Sequence, residues 1–301
     1  MNAIARPPIR EMKPGFGAIV EGIDFPTATD AQKEMIVDAF QHHGAICLRD
    51  QNMSPDDLLD FVKLFGEPEG HTLKQFTLPG YPNIYILSNK VVDGRAIGAH
   101  NDGVGWHTDY SYKAEPVMST MLYAVEVPPE GADTLLADCV AAYEALPEEK
   151  KAQLDGLKLH HSYQHFMENR EYGAMKLSEE IKAETPDVIH PLIRTHPADG
   201  RKALWVSTGT VKEVIGMPVD EGLALVDELV DWATQDRFVY THKWRVGDVL
   251  MWDNRCTLHT GTLYDDKKYD RLMHRLWAKG DRPSCRAGRD PAGVGGIAAT
   301  R

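Results

Sequence analysis

The sequence carries little that would staple or anchor a chain. Its 301 residues hold only four cysteines, Cys47, Cys139, Cys256 and Cys285, and no two of them form a C-x-x-C pair. That scatter argues against a disulfide framework and fits reduced thiols in a cytoplasmic protein. Basic residues are in deficit, 33 against 45 acidic ones, for a net charge of −12. Nucleic acid is therefore not expected as a partner, since phosphate binding needs clustered Lys and Arg. An acidic surface still leaves room for a basic pocket that takes a small anion. No stretch approaches the ~18 uninterrupted apolar residues of a membrane span. The opening residues, with Arg6, Pro7, Pro8 and Arg10, lack the apolar centre of a secretory signal. The expectation is a cytoplasmic protein with no membrane partner.

What is present is ordinary for a soluble fold. At 43% hydrophobic and 26% charged residues, the chain can bury a core. No internal repeat or composition break divides it, which predicts a single domain over 1–283. The remaining tail, 284–301, has almost no bulky apolar residues and is expected to be flexible.

Patterning predicts a strand and turn over 15–25, then a helix capped by Asp30 with Met35, Ile36, Ala39 and Phe40 on one face. Ala45 to Leu48 reads as a buried strand. Ser54-Pro55-Asp56-Asp57 is a helix start that turns Leu58, Phe61, Val62 and Phe65 inward. Strands are predicted over 84–88, 117–127, 134–138 and 157–162, with helical segments over 140–146 and after Pro147. The polar stretch 166–188 looks like a mobile insertion. A strand over 203–207 precedes an amphipathic helix over 219–234, with Val219, Leu223, Val226, Val230 and Ala233 at helical spacing. Strands over 237–244, 248–252 and 271–278 make the last third the most β-rich. The class expected is mainly β with flanking helices, a double-sheet jelly roll.

Chemistry concentrates in a few places. In an extended chain alternate side chains share a face, so His107 and Asp109 can converge while Thr108 points away. One imidazole and one carboxylate supply two-thirds of a facial metal triad, which leaves coordination positions open for a cosubstrate and dioxygen. Alone, the triplet reads equally as a surface histidine beside a hydrogen-bonding acid. Among the 13 histidines, His259 stands out, because the strand 249–252 and the loop 253–258 deliver it as a barrel mouth delivers a ligand. His42-His43 closes a helix, while His160, His161 and His242 read as wall or surface residues of strands, and His190 and His196 flank a proline-bearing turn. In the strand 271–278, Arg271, Met273 and Arg275 share a face. Such a pair of guanidinium forks matches carboxylates, or else pairs with Asp265, Asp266 and Asp270 at a solvated edge.

The strings WHTD (106–109), GADTLLAD (131–138), RTHPADGRKALWV (194–206), WDNRCTLH (252–259) and RLMHR (271–275) resemble the TauD/TfdA dioxygenases, in unbroken order from about Gly15 to about Gly280. The resemblance implies a double-stranded β-helix and chemistry needing Fe(II), 2-oxoglutarate and O2. It implies His107, Asp109 and His259 as metal ligands, Thr134 and Arg271 as the cosubstrate's carboxylate partners, and Arg275 as the grip on a sulfonate or carboxylate. His71 falls where taurine-oxidising members touch substrate, but Lys74 stands where they carry a tyrosine. Related iron halogenases carry a small residue in place of Asp109, so hydroxylation is implied here. The stretch 238–248, leading into 252–256, is similar to the phenoxyacetate-degrading branch, and family members are often dimers or tetramers.

Hydroxylation of a small anionic substrate, with release of succinate and CO2, is the expected reaction. Where the hydroxylated carbon bears a leaving group, the product is expected to fall apart. The rival is a cupin-like Zn2+ hydrolase or isomerase on the same ligands, which has no use for Thr134 and Arg271. Selectivity is expected in the loop 71–105 and the insertion 163–188. There Phe76, Tyr81, Tyr163, Phe166, Met167, Tyr172 and Met175 either line an apolar pocket or pack the insertion onto the sheet.

Overall fold

A computed structural model describes residues 9–72, 74–170 and 174–285. Its frame is a nine-stranded sheet whose path runs Ile9–Lys13, Phe16–Val20, Ala45–Leu48, Val249–Asp253, Ser119–Glu126, Leu272–Ala278, Tyr81–Ser88, Thr77–Leu78, with Pro68–Glu69 added on Leu272–Ala278. All pairs are antiparallel except Phe16–Val20 with Ala45–Leu48. That parallel pair needs a crossover, and the helix Asp30–His43 supplies it.

The central strands read as continuous apolar runs because both faces are buried. Ile46, Leu48, Val249, Met251, Met121 and Leu276 face the two N-terminal helices. Their alternate neighbours Cys47, Leu250, Trp252, Leu122, Met273 and Trp277 face an inner core. A second sheet, Val239–His242, Thr134–Asp138 and Thr257–Gly261, closes that core and contributes Leu136 to it. A further three-stranded sheet, Val188–Pro191, Lys158–His161 and Val211–Val214, carries the helix Val219–Ala233 on its outer side. The protein is thus mainly β with flanking helices.

Helix starts follow local chemistry. Ser54 Oγ accepts from the Asp57 N–H at 3.2 Å, while Asp57 Oδ2 accepts from the Ser54 N–H at 2.8 Å. Both groups are exposed, so Ser54→Ala should cost about 1 kcal/mol of stability. Urea unfolding checks this, and an unchanged midpoint would show the box to be idle. At the first helix the cap is Thr29, not Asp30, which is the first helical residue. The reason is Gln32, whose side chain returns to the Thr29 N–H at 2.9 Å and completes a capping box.

Other expectations shift as well. Val219 is half exposed, and the helix buries Gly222, Val226, Leu229, Val230 and Ala233 instead. At the start of the insertion Ser162 caps the helix Tyr163–Asn169, and Tyr163 stacks on Tyr112 with ring centroids 4.2 Å apart. Phe76 and Phe166 pack on the inner core, which also buries Tyr163 and Met167, whereas Tyr81 packs on the helix side and Met175 is exposed. Tyr172 and the tail beyond Cys285 lie outside the described residues. Of the two readings of His161 and His242, wall or surface, burial leaves the wall. No helix among the described residues is long and apolar enough to cross a membrane.

Candidate metal and anion site

His107, outside the named strands, bridges to His259 in the second sheet. Their backbones exchange both hydrogen bonds, His107 N–H to His259 O at 3.0 Å and His259 N–H to His107 O at 2.8 Å. This antiparallel bridge places the imidazoles side by side, with centroids 4.1 Å apart. His259 does not ride on a loop. It sits inside the strand Thr257–Gly261, opposite Leu136, because residues 253–256 make only a tight turn closed by Cys256 N–H to Asp253 O.

Asp109 joins them two residues after His107. The chain must bend sharply there, and Tyr110 adopts a left-handed φ of 57°, a conformation that a non-glycine residue holds only at some cost. Asp109 Oδ1 lies 3.6 Å from His107 Nε2 and 3.8 Å from His259 Nε2. Its other oxygen is occupied, accepting the Thr120 hydroxyl at 2.6 Å and the Trp277 indole N–H at 2.9 Å. Asn254 donates to the Thr120 oxygen at 2.8 Å, which obliges that hydroxyl to point its proton at Asp109.

The donor set fits a divalent metal. One atom from each of His107, Asp109 and His259 lies within 4.8 Å of the others. His107 Nδ1 faces the Gly105 carbonyl at 2.7 Å. A carbonyl only accepts, so the ring proton is on Nδ1 and the Nε2 lone pair is free. His259 Nε2 is buried with no hydrogen-bond partner. The Trp252 indole N–H donates to His259 Nδ1 at 3.2 Å, so a ligating Nε2 requires that ring's proton to change sides. Burial and the neighbouring His107 hold His259 neutral, well below the usual imidazole range. Burial pushes the Asp109 carboxyl up, but Arg275, His259 and His107 outweigh it and keep the group ionised.

Thr134 is buried on the strand opposite His259, and since Leu136 faces His259, Thr134 shares that inner face. Its oxygen accepts from the Trp244 indole at 3.1 Å, which leaves the hydroxyl proton to donate inward. Thr134 pairs with Gly261, and Gly261 borders a small cavity with Ala132, Thr262, Tyr264 and Arg271. No carboxylate among the described residues forms an ion pair with Arg271, and its Nε is shut off from solvent without a partner. Burial, with Arg275 adding to it, pulls this guanidinium down to about 10 against a smaller opposing effect of Tyr264. A cation so placed asks for an anion.

Arg275 shares the inner face with Met273 and Trp277, as alternation predicts, and its guanidinium stands over the Trp277 ring at 5.4 Å. The His71 ring stacks beside Trp277 at 5.4 Å and Tyr85 at 4.1 Å. The structure therefore brings His71 and Arg275 to one aromatic group, while Lys74 is exposed. Sequence reasoning gave no role to Thr120, Trp277, Asn254 and Trp244. Trp277 carries a signal in hindsight, two residues from Arg275 on the same face, and so does Thr120, a hydroxyl in an otherwise apolar strand.

Known proteins match this chain over most of its length. The family model described as taurine catabolism dioxygenase TauD, TfdA family, matches residues 8–277. The alpha-ketoglutarate-dependent 2,4-dichlorophenoxyacetate dioxygenase of Cupriavidus pinatubonensis is 36% identical over 280 residues, covering 88% of this chain and 94% of its own. The (S)-phenoxypropionate/alpha-ketoglutarate-dioxygenase of Sphingobium herbicidovorans is 29% identical over 89% of this chain and 93% of its own. A crystal structure of AAD-2 in complex with Mn(II) and N-oxalylglycine superposes with a TM-score of 0.79 at 30% identity, covering 92% of this chain and 99% of that one.

Proposed function

The chain belongs to the TauD/TfdA dioxygenase family, and on that premise we propose how its site works. The protein is a 2-oxoglutarate-dependent dioxygenase acting on a small anionic organic substrate. The relatives support this reading and not the zinc hydrolase or isomerase. In our reading His107, Asp109 and His259 hold Fe(II), and the sheets described above are the two halves of a jelly roll. Bound there with 2-oxoglutarate and O2, the metal supplies the oxidant that turns substrate, O2 and 2-oxoglutarate into hydroxylated product, succinate and CO2.

The chain's own residues position and neutralise. Asp109, tied through one oxygen by Thr120 and Trp277, presents the other to the metal. Arg271 pairs with the far carboxylate of 2-oxoglutarate, and the Thr134 proton adds a second hydrogen bond. The observation that carries this assignment is the half-buried guanidinium of Arg271 beside that cavity, its Nε shut off from solvent and no carboxylate among the described residues paired with it. Arg275 takes the substrate's carboxylate or sulfonate, and His71, Tyr85 and Trp277 flank its apolar part. These aromatic walls favour an aryloxyalkanoate-like substrate, whose hydroxylated product falls apart when the new hydroxyl shares a carbon with the ether oxygen.

The test is succinate release from 2-oxoglutarate across aryloxyalkanoates, sulfonates and other small carboxylates, with and without O2. Turnover that persists without O2 overturns the reading. Arg275→Gln should raise KM for the substrate roughly tenfold or more, the cost of removing one charged partner. KM for 2-oxoglutarate should change less than that for the substrate, and the reverse order would exchange the roles of the two arginines. The proposal extends to a single domain over 1–283 with the tail 284–301 outside it, assembled as a dimer or tetramer in the cytoplasm. The free thiols of Cys47, Cys139 and Cys256, all buried, support that compartment.

A further inference from the structure

The cation assigned to the substrate's anion already carries a carboxylate. Asp102 Oδ2 lies 3.3 Å from Arg275 Nη1, and Asp102 Oδ1 lies 3.6 Å from Arg170 Nη1. Arg275 belongs to the inner face of the large sheet, and Arg170 is the residue that ends the helix Tyr163–Asn169 in the insertion. One acid thus bridges two guanidiniums from separate parts of the chain.

The backbone brings Asp102 there from both sides. Ala99 N–H donates to Ile86 O at 2.9 Å and Ser88 N–H to Ala99 O at 3.0 Å, which ties the near end to the sheet. Beyond Asp102, Gly261 N–H donates to Gly103 O at 2.9 Å and Gly105 N–H to Thr260 Oγ1 at 3.0 Å. Gly103 has φ +95°, and a Cβ on it would sit 3.3 Å from Arg275 Nη2. Glycine holds that φ without strain where the loop passes close to the guanidinium.

The contact is built to be exchanged. In the same protein Asp253 grips Arg255 through both oxygens, with bonds of 2.6 to 3.1 Å, and both residues are buried. Asp102 instead makes one long bond to Arg275, keeps its side chain 22% exposed, and leaves the Arg275 Nε without a partner. A bidentate carboxylate from outside would bind that fork better than Asp102 does. The second cation, Arg170, is within reach of the oxygen that Asp102 does not use on Arg275.

We propose that Asp102 is an internal competitor for the substrate's anion. It neutralises Arg275 until substrate arrives, yields that guanidinium to the incoming carboxylate, and passes to Arg170. Asp102 thereby sets how strongly an anion must bind to enter, and it couples anion binding to the helix Tyr163–Asn169. The inference rests on Arg275 being the anion's partner, and the experiment separates the two claims.

The full chain, loaded with Mn(II) and 2-oxoglutarate without O2, is titrated calorimetrically with 2,4-dichlorophenoxyacetate and with its neutral amide. Asp102→Asn should tighten the acid roughly tenfold, as expected on removing a competing charge at contact distance, and leave the amide unchanged. Arg170→Gln should weaken the acid a few-fold, because Asp102 then loses its second partner. Arg275→Gln should weaken the acid strongly and erase the benefit of Asp102→Asn when the two are combined. Loss of acid affinity in Asp102→Asn, or no change, beside a strong effect of Arg275→Gln would make Asp102 a mere support for Arg275 and overturn the competitor. If Arg275→Gln binds the acid as the wild type does, or if no form binds it, the reading of Arg275 falls and takes the competitor with it.

Discussion

Asp109→Ala is expected to abolish 2-oxoglutarate turnover and to weaken metal binding by about a hundredfold or more, since a three-residue site loses its one charged ligand. The change does more than remove a ligand. The Trp277 indole and the Thr120 hydroxyl both donate to the same carboxylate oxygen inside the core, so two buried donors lose their acceptor. Each orphaned group costs roughly 1–3 kcal/mol, so the variant should also unfold at lower denaturant. Activity loss alone therefore does not separate a ligand from a structural anchor. Trp277→Phe does separate them, because it keeps the carboxylate and removes one donor. If Asp109 serves the metal, Trp277→Phe should lower metal affinity by about 10- to 100-fold, the range for residues that orient a ligand. Mn(II) binding followed by electron paramagnetic resonance measures both variants. Wild-type metal affinity in Asp109→Ala would remove the metal centre altogether.

How much of this was legible in the sequence depends on how far apart the interacting residues lie. The His107–Asp109 pair is local, and its convergence follows from spacing of two in an extended chain. The inner face of Arg271, Met273, Arg275 and Trp277 is local too, and alternation along one strand reveals it. His259 was found, but its setting was misread. Its strand is specified by pairing with residues 134–138 and by the bridge to His107, contacts that no pattern within Thr257–Gly261 announces. Thr29 was missed as a cap although Gln32 three residues on is its signature, because Asp30 satisfies the same local rule one residue later. Asp102 and Arg170 lay beyond reach. Each sits in a polar segment that reads as solvated, and only the tertiary register of residues 99–105 against Ile86, Ser88 and Gly261 brings them onto Arg275. Local spacing pairs His107 with Asp109 and Arg275 with Trp277, and long-range register decides what is brought onto them.

Arg271→Met is expected to raise KM for 2-oxoglutarate on the order of 100-fold, the cost of leaving a desolvated carboxylate without its charged partner. Methionine fills similar space along the stem, so the cavity bordered by Ala132, Gly261, Thr262 and Tyr264 keeps its walls. The same substitution should leave the cosubstrate-free fold as stable as the wild type or more so. Among the described residues Arg271 has no acidic partner to abandon, its Nε is already unsatisfied, and burial already pulls it down to about 10. Removing such a charge relieves a desolvation cost instead of breaking a pair. The two readouts therefore move in opposite directions, which a structural arginine does not produce: loss of a salt-bridged anchor lowers stability and catalysis together. Steady-state kinetics in 2-oxoglutarate and thermal unfolding without it decide the matter. A KM within about threefold of wild type, against the expected loss of a charged pair, would assign the cosubstrate's carboxylate to another group. A lower unfolding temperature with unchanged KM would make Arg271 part of the scaffold. Arg271→Lys tests the geometry further, because a point charge replaces a planar fork and should recover only part of the affinity.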